Sequence, residues 1–486
     1  MMIAEWDKAS VKFRLSFGFR LANALLTFTF FQPDEYFQAW EPAYADIHRV
    51  GFRAWEWQAG IRTSLMPRAF ALIIRAAEFL HVDHLLLAKL IMALLAAVAD
   101  VATSNLPKRV LPPRLATLRV QRITWLVSLA SFFNWQCSTR PFSNTVEMVL
   151  VVCALNWWQT CDYTRLLAAQ VLAHIAIALR PSDGFFWLLI GVHTLYTAPN
   201  WSARLRLALF SAVVAVFAQG AILLLDQNYY AELGTGATLP IVEFMRHNFG
   251  SRVSEIYGIM PWHWYLSQGV PFIVLGYLPF LVCGWPQLPA SWKWILSINL
   301  MAFSGVAHKE FRFIYFLLPV LHVVVALGMQ QLHRHRWLVR GALVVNVAVG
   351  SYFSLFHQKG VYDVVQYIRY RPRIERVSFL MPCHSTPWRA HFERLDPNFS
   401  PQFLTCDPPW DRSSEGYIDE ADQFYLDPPS FLADHPEKLA PYVAVFEPLL
   451  PMMKDMGYSE VCSFYNGLYN EDSRRRGRVY LLKSWQ

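Results

Sequence analysis

Long apolar runs recur through the first three quarters of the chain, separated by short charged connections, and the last quarter loses them. A run of about 20 apolar residues crosses the hydrocarbon core as a helix. On that pattern spans fall near 15–31, 84–103, 123–136, 145–160, 166–180, 184–199, 205–225, 269–285, 293–307, 311–330 and 338–356, eleven in all. Residues 68–82 (RAFALIIRAAEFLHV) are apolar but short and carry Arg68, Arg75 and Glu78, which suits an interfacial or re-entrant helix.

The connections carry an asymmetric charge. Lys108, Arg109, Arg114, Arg119 and Arg122 crowd residues 108–122, so the positive-inside rule predicts a cytosolic segment. The connections at Arg165, Arg204/Arg206, Lys293 and HRHR (333–336) then fall on the same side. The opposite side receives 31–67, 138–145, 180–183, 226–268, 308–313 and the tail. Lys8, Lys12 and Arg14 precede the first run with no convincing cleavage site, which reads as a signal anchor. Only 16% of the 486 residues are charged and 55% are hydrophobic, against roughly 25% charged in soluble proteins. The +7 balance is loop bias, and no basic module interleaved with stacking aromatics points to nucleic acid.

From about residue 357 charges, prolines and glycines rise. RVSFLM (376–381), YVAVFE (442–447), VCSFYN (461–466) and GRVYLLK (477–483) read as strands, alternating with helix-like 361–370 and 448–457. The expected fold is therefore mainly α: a polytopic membrane domain over 1–356 with a small α/β domain over 357–486. The loop 397–429, rich in Pro, Asp and Ser, is expected to be mobile. The seven cysteines show no CxxC pair and no Cys/His metal spacing, so no structural zinc is expected, while one disulfide among Cys383, Cys406 and Cys462 suits an oxidising lumen. Asn200 and Asn398 match the glycosylation acceptor, and only Asn398 falls on the far side.

The chemistry-bearing residues concentrate on that far side. Residues 31–67 hold Asp34, Glu35, Glu41 and Glu56, the aromatics Tyr36, Trp40, Trp55 and Trp57, and Arg62. Pro33 predicts a helix starting at Asp34–Glu35, where the dipole favours an ionised carboxylate. Neighbours on a helix point about 100° apart, so one of the pair can face a reacting atom while the other orients it or caps the helix. An interfacial loop with an acidic cap is the plainer reading. HKEFRF (308–313) sets His308, Lys309 and Arg312 at one membrane end, suited to a phosphate; a lipid-headgroup anchor is the alternative. Arg140 and Arg180 each precede a proline at a span end on the same side and either bind phosphate or snorkel. Trp262 and His263 in PWHWY offer a sugar-stacking face and an imidazole, or belong to an aromatic interface belt. There is no Gly-rich nucleotide cradle, which argues against a soluble nucleotide sugar as donor.

The run FQPDEYFQAWEPAY, then AWEW, then IRTSLMP, resembles the first luminal loop of the glycosyltransferases of multi-span GT-C fold that use dolichol-phosphate mannose. STRPFSNTVE, YGIMPWHWYLSQG and HKEFRFIYFLLP match further motifs of that family in order, and FLMPCHSTPWRAHF with FLTCDPP resembles its branch that adds the third mannose of glycosylphosphatidylinositol (GPI). Gln32 stands where many relatives have His. The resemblance implies a multi-pass endoplasmic reticulum enzyme with a luminal active site and tail. It implies α-1,2 transfer of mannose from dolichol-phosphate mannose to the second mannose of a GPI precursor, by inversion, without metal or cofactor. Asp34 is the expected general base and Glu35 the runner-up. His308, Lys309 and Arg312, with Arg140 and Arg180, are expected at the donor phosphate. Tyr36, Glu41, Trp55, Glu56, Trp57, Arg62, Trp262 and His263 are expected at the sugars. Within the family, addition of a fourth GPI mannose or extension of the dolichol-linked N-glycan precursor stays open; outside it, a polytopic lipid or sugar transporter.

Overall fold

Five helices among the described residues are long and apolar enough to cross a membrane: His84–Asn105, Trp201–Leu233, Tyr265–Gln287, Phe311–Gln331 and Arg336–Arg369. The computed structural model describes residues 8–250, 258–409, 416–470 and 472–484. Other expected spans form shorter helices, including Ser143–Trp157, Asp183–Thr197 and Ala290–Ser304, each of 15 residues. At 1.5 Å per residue these reach about 22 Å, short of the ~30 Å core. The expected span 123–136 is split: the helix Leu118–Ala130 stops at Ser131, whose backbone is extended, and Phe132–Cys137 restarts it. Ala9–Leu26 is long enough but carries Lys12, Arg14 and Arg20. Leu65–Leu80, the segment expected to be interfacial, is a 16-residue helix.

Prolines segment Tyr265–Gln287. Pro271, Pro279 and Pro286 each sit in the first turn of a separate helical piece, the position where a missing N–H costs nothing. Glycine lets one of these pieces approach its neighbour. A Cβ on Gly284 would lie 1.9 Å from Val324 O, and one on Gly328 would lie 1.9 Å from Phe280 O. Leu278–Gly284 and Leu318–Gln331 therefore touch backbone to backbone, as membrane helices do where small residues meet.

The chain divides into two compact units. The first comprises 1–24, 59–66 and 88–350, and the second 25–58, 67–87 and 351–486. Inside the first, Arg20 is fully buried and pairs with Asp100 (Nε to Oδ2 2.7 Å); Ser128 Oγ donates to the same carboxylate at 2.7 Å. Charges at membrane depth persist when paired in this way.

The second unit contains a five-stranded sheet: β1 Arg376–Phe379, β2 Ser400–Phe403, β3 Tyr442–Phe446, β4 Tyr458–Phe464 and β5 Val479–Ser484. Its order is β2-β1-β3-β5-β4. β1 runs parallel to β2 and β3, while β5 pairs antiparallel with β3 and β4. Val443, Val445 and Leu482 bury one face against Phe424, Leu432 and Met453. The helices expected at 361–370 and 448–457 are Gly360–Arg369 and Leu450–Asp455. A disulfide joins Cys383 to Cys406, and Cys462 is free. Part of the loop expected to be mobile, 410–415, lies outside the described residues, as does Tyr257, which opens the YGIMPWHWYLSQG motif.

Candidate active site

In the second unit, Pro33 does open a helix. Its carbonyl accepts from Tyr36 N at 2.9 Å and Phe37 N at 3.0 Å. The helix widens to a π-turn over Tyr36–Trp40, resumes as Glu41–His48, and stops at Arg49, which takes the left-handed conformation (φ 62°). Such π-turns are frequent at functional sites. The two carboxylates diverge as the 100° step requires: Asp34 is half-buried, while Glu35 is 6% exposed and its charge acts on Tyr362.

An imidazole accompanies this turn. His384 packs on Phe37 with ring centroids 4.2 Å apart. Phe37 is three residues beyond Asp34 and so shares its helix face. Burial pushes the His384 imidazole down to about 4, against the opposing pull of the Asp34 charge. His384 is therefore neutral near pH 7. It was not among the expected site residues; the only signal for it was its place in the MPCHSTP motif, next to Cys383.

Several residues expected at a sugar lie inside. Tyr36 (1% exposed) stacks on Phe30 at 5.1 Å and meets His391 edge-on at 4.9 Å. Trp57 (1% exposed) donates its indole N–H to Phe37 O at 3.1 Å, and Trp40 packs on Phe70. Glu41 is fully buried, and its two oxygens accept from Ala390 N at 2.9 Å and Phe52 N at 3.2 Å. Burial raises its carboxyl to about 7 against those two hydrogen bonds. All four side chains are at most 2% exposed, and both oxygens of Glu41 are already hydrogen-bonded. Trp55 and Glu56 stay half-exposed, with Glu56 accepting from Gln38 Nε2 at 3.1 Å.

The first unit holds the expected phosphate site. His308 and Arg312 converge on a residue the cation pattern had hidden, Glu310. His308 Nε2 lies 3.1 Å from Glu310 Oε1; Arg312 donates from Nε to Oε2 and from Nη2 to Oε1, both at 2.7 Å. Although burial opposes it, the Arg312 and His308 charges hold the Glu310 carboxyl well below the usual range. Lys309 is turned elsewhere: its ammonium donates to Met260 O at 3.0 Å and Val306 O at 2.5 Å. Arg312 and Arg180 share Phe313, with guanidinium carbons 5.3 and 4.9 Å from the ring centroid. Arg140 is buried and donates from Nε to Gln136 O at 2.6 Å.

Two further buried acids had no assigned role. Glu147 and Asp183 are both at most 1% exposed, their side chains interact, and the charges of Arg180 and Arg312 act on Glu147. Glu147 lies in the STRPFSNTVE motif with Arg140, and Asp183 lies in the connection 180–183 with Arg180. Arg62 contributes its carbonyl to Tyr230 Oη at 2.6 Å. Trp262 is 71% exposed, and His263 bonds within its own turn to Ser267 Oγ at 3.0 Å.

Comparison with known proteins gives the geometry its context. The model of the Alg9-like mannosyltransferase family matches residues 12–393. The GPI mannosyltransferase 3 of Yarrowia lipolytica is 36% identical over 95% of this chain and 94% of its own length. The GPI alpha-1,2-mannosyltransferase 3 of Mus musculus is 30% identical over 94% of this chain and 86% of its own. Among solved structures, ArnT from Cupriavidus metallidurans bound to undecaprenyl phosphate matches 97% of both chains with a TM-score of 0.59 at 12% identity, a likeness of fold.

Proposed function

The chain belongs to the Alg9-like mannosyltransferase family, and from that premise we propose that it transfers mannose from dolichol-phosphate mannose to the second mannose of a GPI precursor, in α-1,2 linkage. The observation that carries this reading is the match, along nearly the whole chain, to relatives named GPI mannosyltransferase 3 and GPI alpha-1,2-mannosyltransferase 3.

In the step, the acceptor 2-hydroxyl oxygen forms a bond to the anomeric carbon as the bond from that carbon to the phosphate oxygen breaks. The hydroxyl proton passes to Asp34, and the electron pair leaves with dolichyl phosphate. One displacement inverts the centre, so a β-linked donor gives an α product. Arg312 and His308, with Arg180 and Arg140, stabilise the charge growing on the phosphate. Glu310 holds the Arg312 fork in one orientation before the substrate arrives. No cofactor enters the step. The reading places the enzyme in the endoplasmic reticulum membrane, with 31–67, 308–313 and the tail luminal.

Analysis of GPI precursors after loss of the gene tests it. A precursor bearing two mannoses should accumulate. Accumulation of a three-mannose precursor, or of truncated dolichol-linked N-glycans with normal GPI, overturns it.

A further inference from the structure

A cavity of about 750 Å³ opens in the first unit between the helices Ala9–Leu26, His84–Asn105, Ser143–Trp157 and Tyr163–Leu179. Its wall is apolar, with Phe13, Val101, Trp157 and Ala168 on four different helices. Its rim is cationic, formed by Lys108, Arg109 and Arg165.

The rim is organised. With its amide oriented to satisfy both guanidiniums, Gln159 accepts from Arg109 Nη2 at 2.7 Å and from Arg165 Nη1 at 3.0 Å. Two like charges are thus gathered by a neutral acceptor, and each retains N–H groups for another ligand. Asp162 pairs with Arg165 at 3.2 Å, but both side chains are exposed, where such a pair neutralises little. Lys108 has no partner among the described residues. Three cations against one exposed carboxylate leave the mouth positive, above a wall that only an apolar tail would fill.

We propose that this cavity binds one anionic glycerophospholipid, its phosphodiester on Arg109, Arg165 and Lys108 and an acyl chain along the apolar wall. Planar guanidiniums suit the phosphodiester oxygens. The positive-inside pattern predicts a cytosolic position for this rim, next to the anionic leaflet. The site shares no residue with the sugar-transfer machinery, so it stands independently of the activity proposed above.

Native mass spectrometry of the full chain in detergent tests it, with phosphatidylinositol and phosphatidylcholine of matched acyl chains. One phosphatidylinositol should stay bound at energies that strip phosphatidylcholine. Arg109→Gln with Arg165→Gln should lower phosphatidylinositol binding at least about tenfold and leave phosphatidylcholine unchanged. Val101→Trp, which fills the cavity but leaves the charges, should also abolish the bound lipid. Equal retention of both lipids, wild-type binding by both variants, or displacement of phosphatidylinositol by equimolar dolichyl phosphate overturns the proposal.

Discussion

Glu41 accepts a hydrogen bond from the backbone amide of Ala390 at 2.9 Å, across 349 residues of chain. Its other oxygen accepts from Phe52 N. The carboxyl prefers its proton in the folded protein, since burial raises it from 4.5 to about 7. The folded state then binds more protons than the unfolded state across that window, so this group's contribution is complete below pH 4.5 and lost as pH rises through 7. Glu41→Gln should flatten the fall of melting temperature between pH 5 and pH 7.5. Some slope should persist, because burial also lifts Glu393 to about 7. Glu41→Ala leaves the buried Ala390 amide and the part-buried Phe52 amide without an acceptor and should cost about 1–3 kcal/mol. An unchanged slope in the Gln variant refutes the assignment.

Asp34 is half-buried, so its removal should spare the fold. Asp34→Asn should lower transfer by about 10²–10⁴-fold, the usual worth of a general base. Glu35 is buried and should cost stability as well as rate when replaced. Near-normal turnover by a folded Asp34→Asn enzyme rules out the base.

Arg312 is held at two points by Glu310, and both should matter to the chemical step. Arg312→Lys keeps the charge but loses the fork, so it should be impaired, and Arg312→Ala should be worse. Glu310→Gln leaves Arg312 in place but less constrained, and should lower kcat more than it raises the acceptor KM. Transfer from a short-chain donor with the acceptor varied reads both constants. Wild-type rates in the alanine variants of His308, Lys309 and Arg312 would make the segment a headgroup anchor.

Sidedness is testable with exposed positions. Cysteines at Arg49 and Leu468 should react with an impermeant reagent only after microsomes are opened, and one at His333 should react in sealed microsomes. All three are exposed in the fold. Labelling of Arg49 and Leu468 from opposite sides would overturn the eleven-span topology.

Local pattern carried much of this fold, and distant partners carried what it missed. Strands β1, β3, β4 and β5 announce themselves by β-branched and aromatic residues, whereas β2 reads SPQF and hides a proline, tolerated because it pairs only with β1 at the sheet edge. The divergence of Asp34 and Glu35 follows from helix geometry alone. Whether Tyr36 and Trp57 face a sugar or the interior depends on Phe30, His391 and Phe37, and no spacing in 31–67 reveals those contacts. Glu310, Glu147 and Asp183 have no signature in the sequence, because a lone acid beside arginines carries none until its distances are known. Hydropathy placed the apolar runs, but it did not show that Ser131 breaks 123–136 into two helices or that the helix over 205–225 runs on to Trp201–Leu233.

The bond between Glu41 and Ala390 also sets an order of events at the ribosome. The helix that carries Asp34 is made early, yet His384 and Ala390, which close on Phe37 and Glu41, are made about 350 residues later. At about 5–20 residues per second, the 349 residues between them take roughly 17–70 s to synthesise. Throughout that interval Phe37 lacks the His384 ring and one Glu41 oxygen lacks its donor, while the contacts to Phe30, Phe52 and Phe70 are already encoded in the emerged chain. A message truncated anywhere before codon 390 would leave that loop permanently unfinished, however complete the membrane helices behind it.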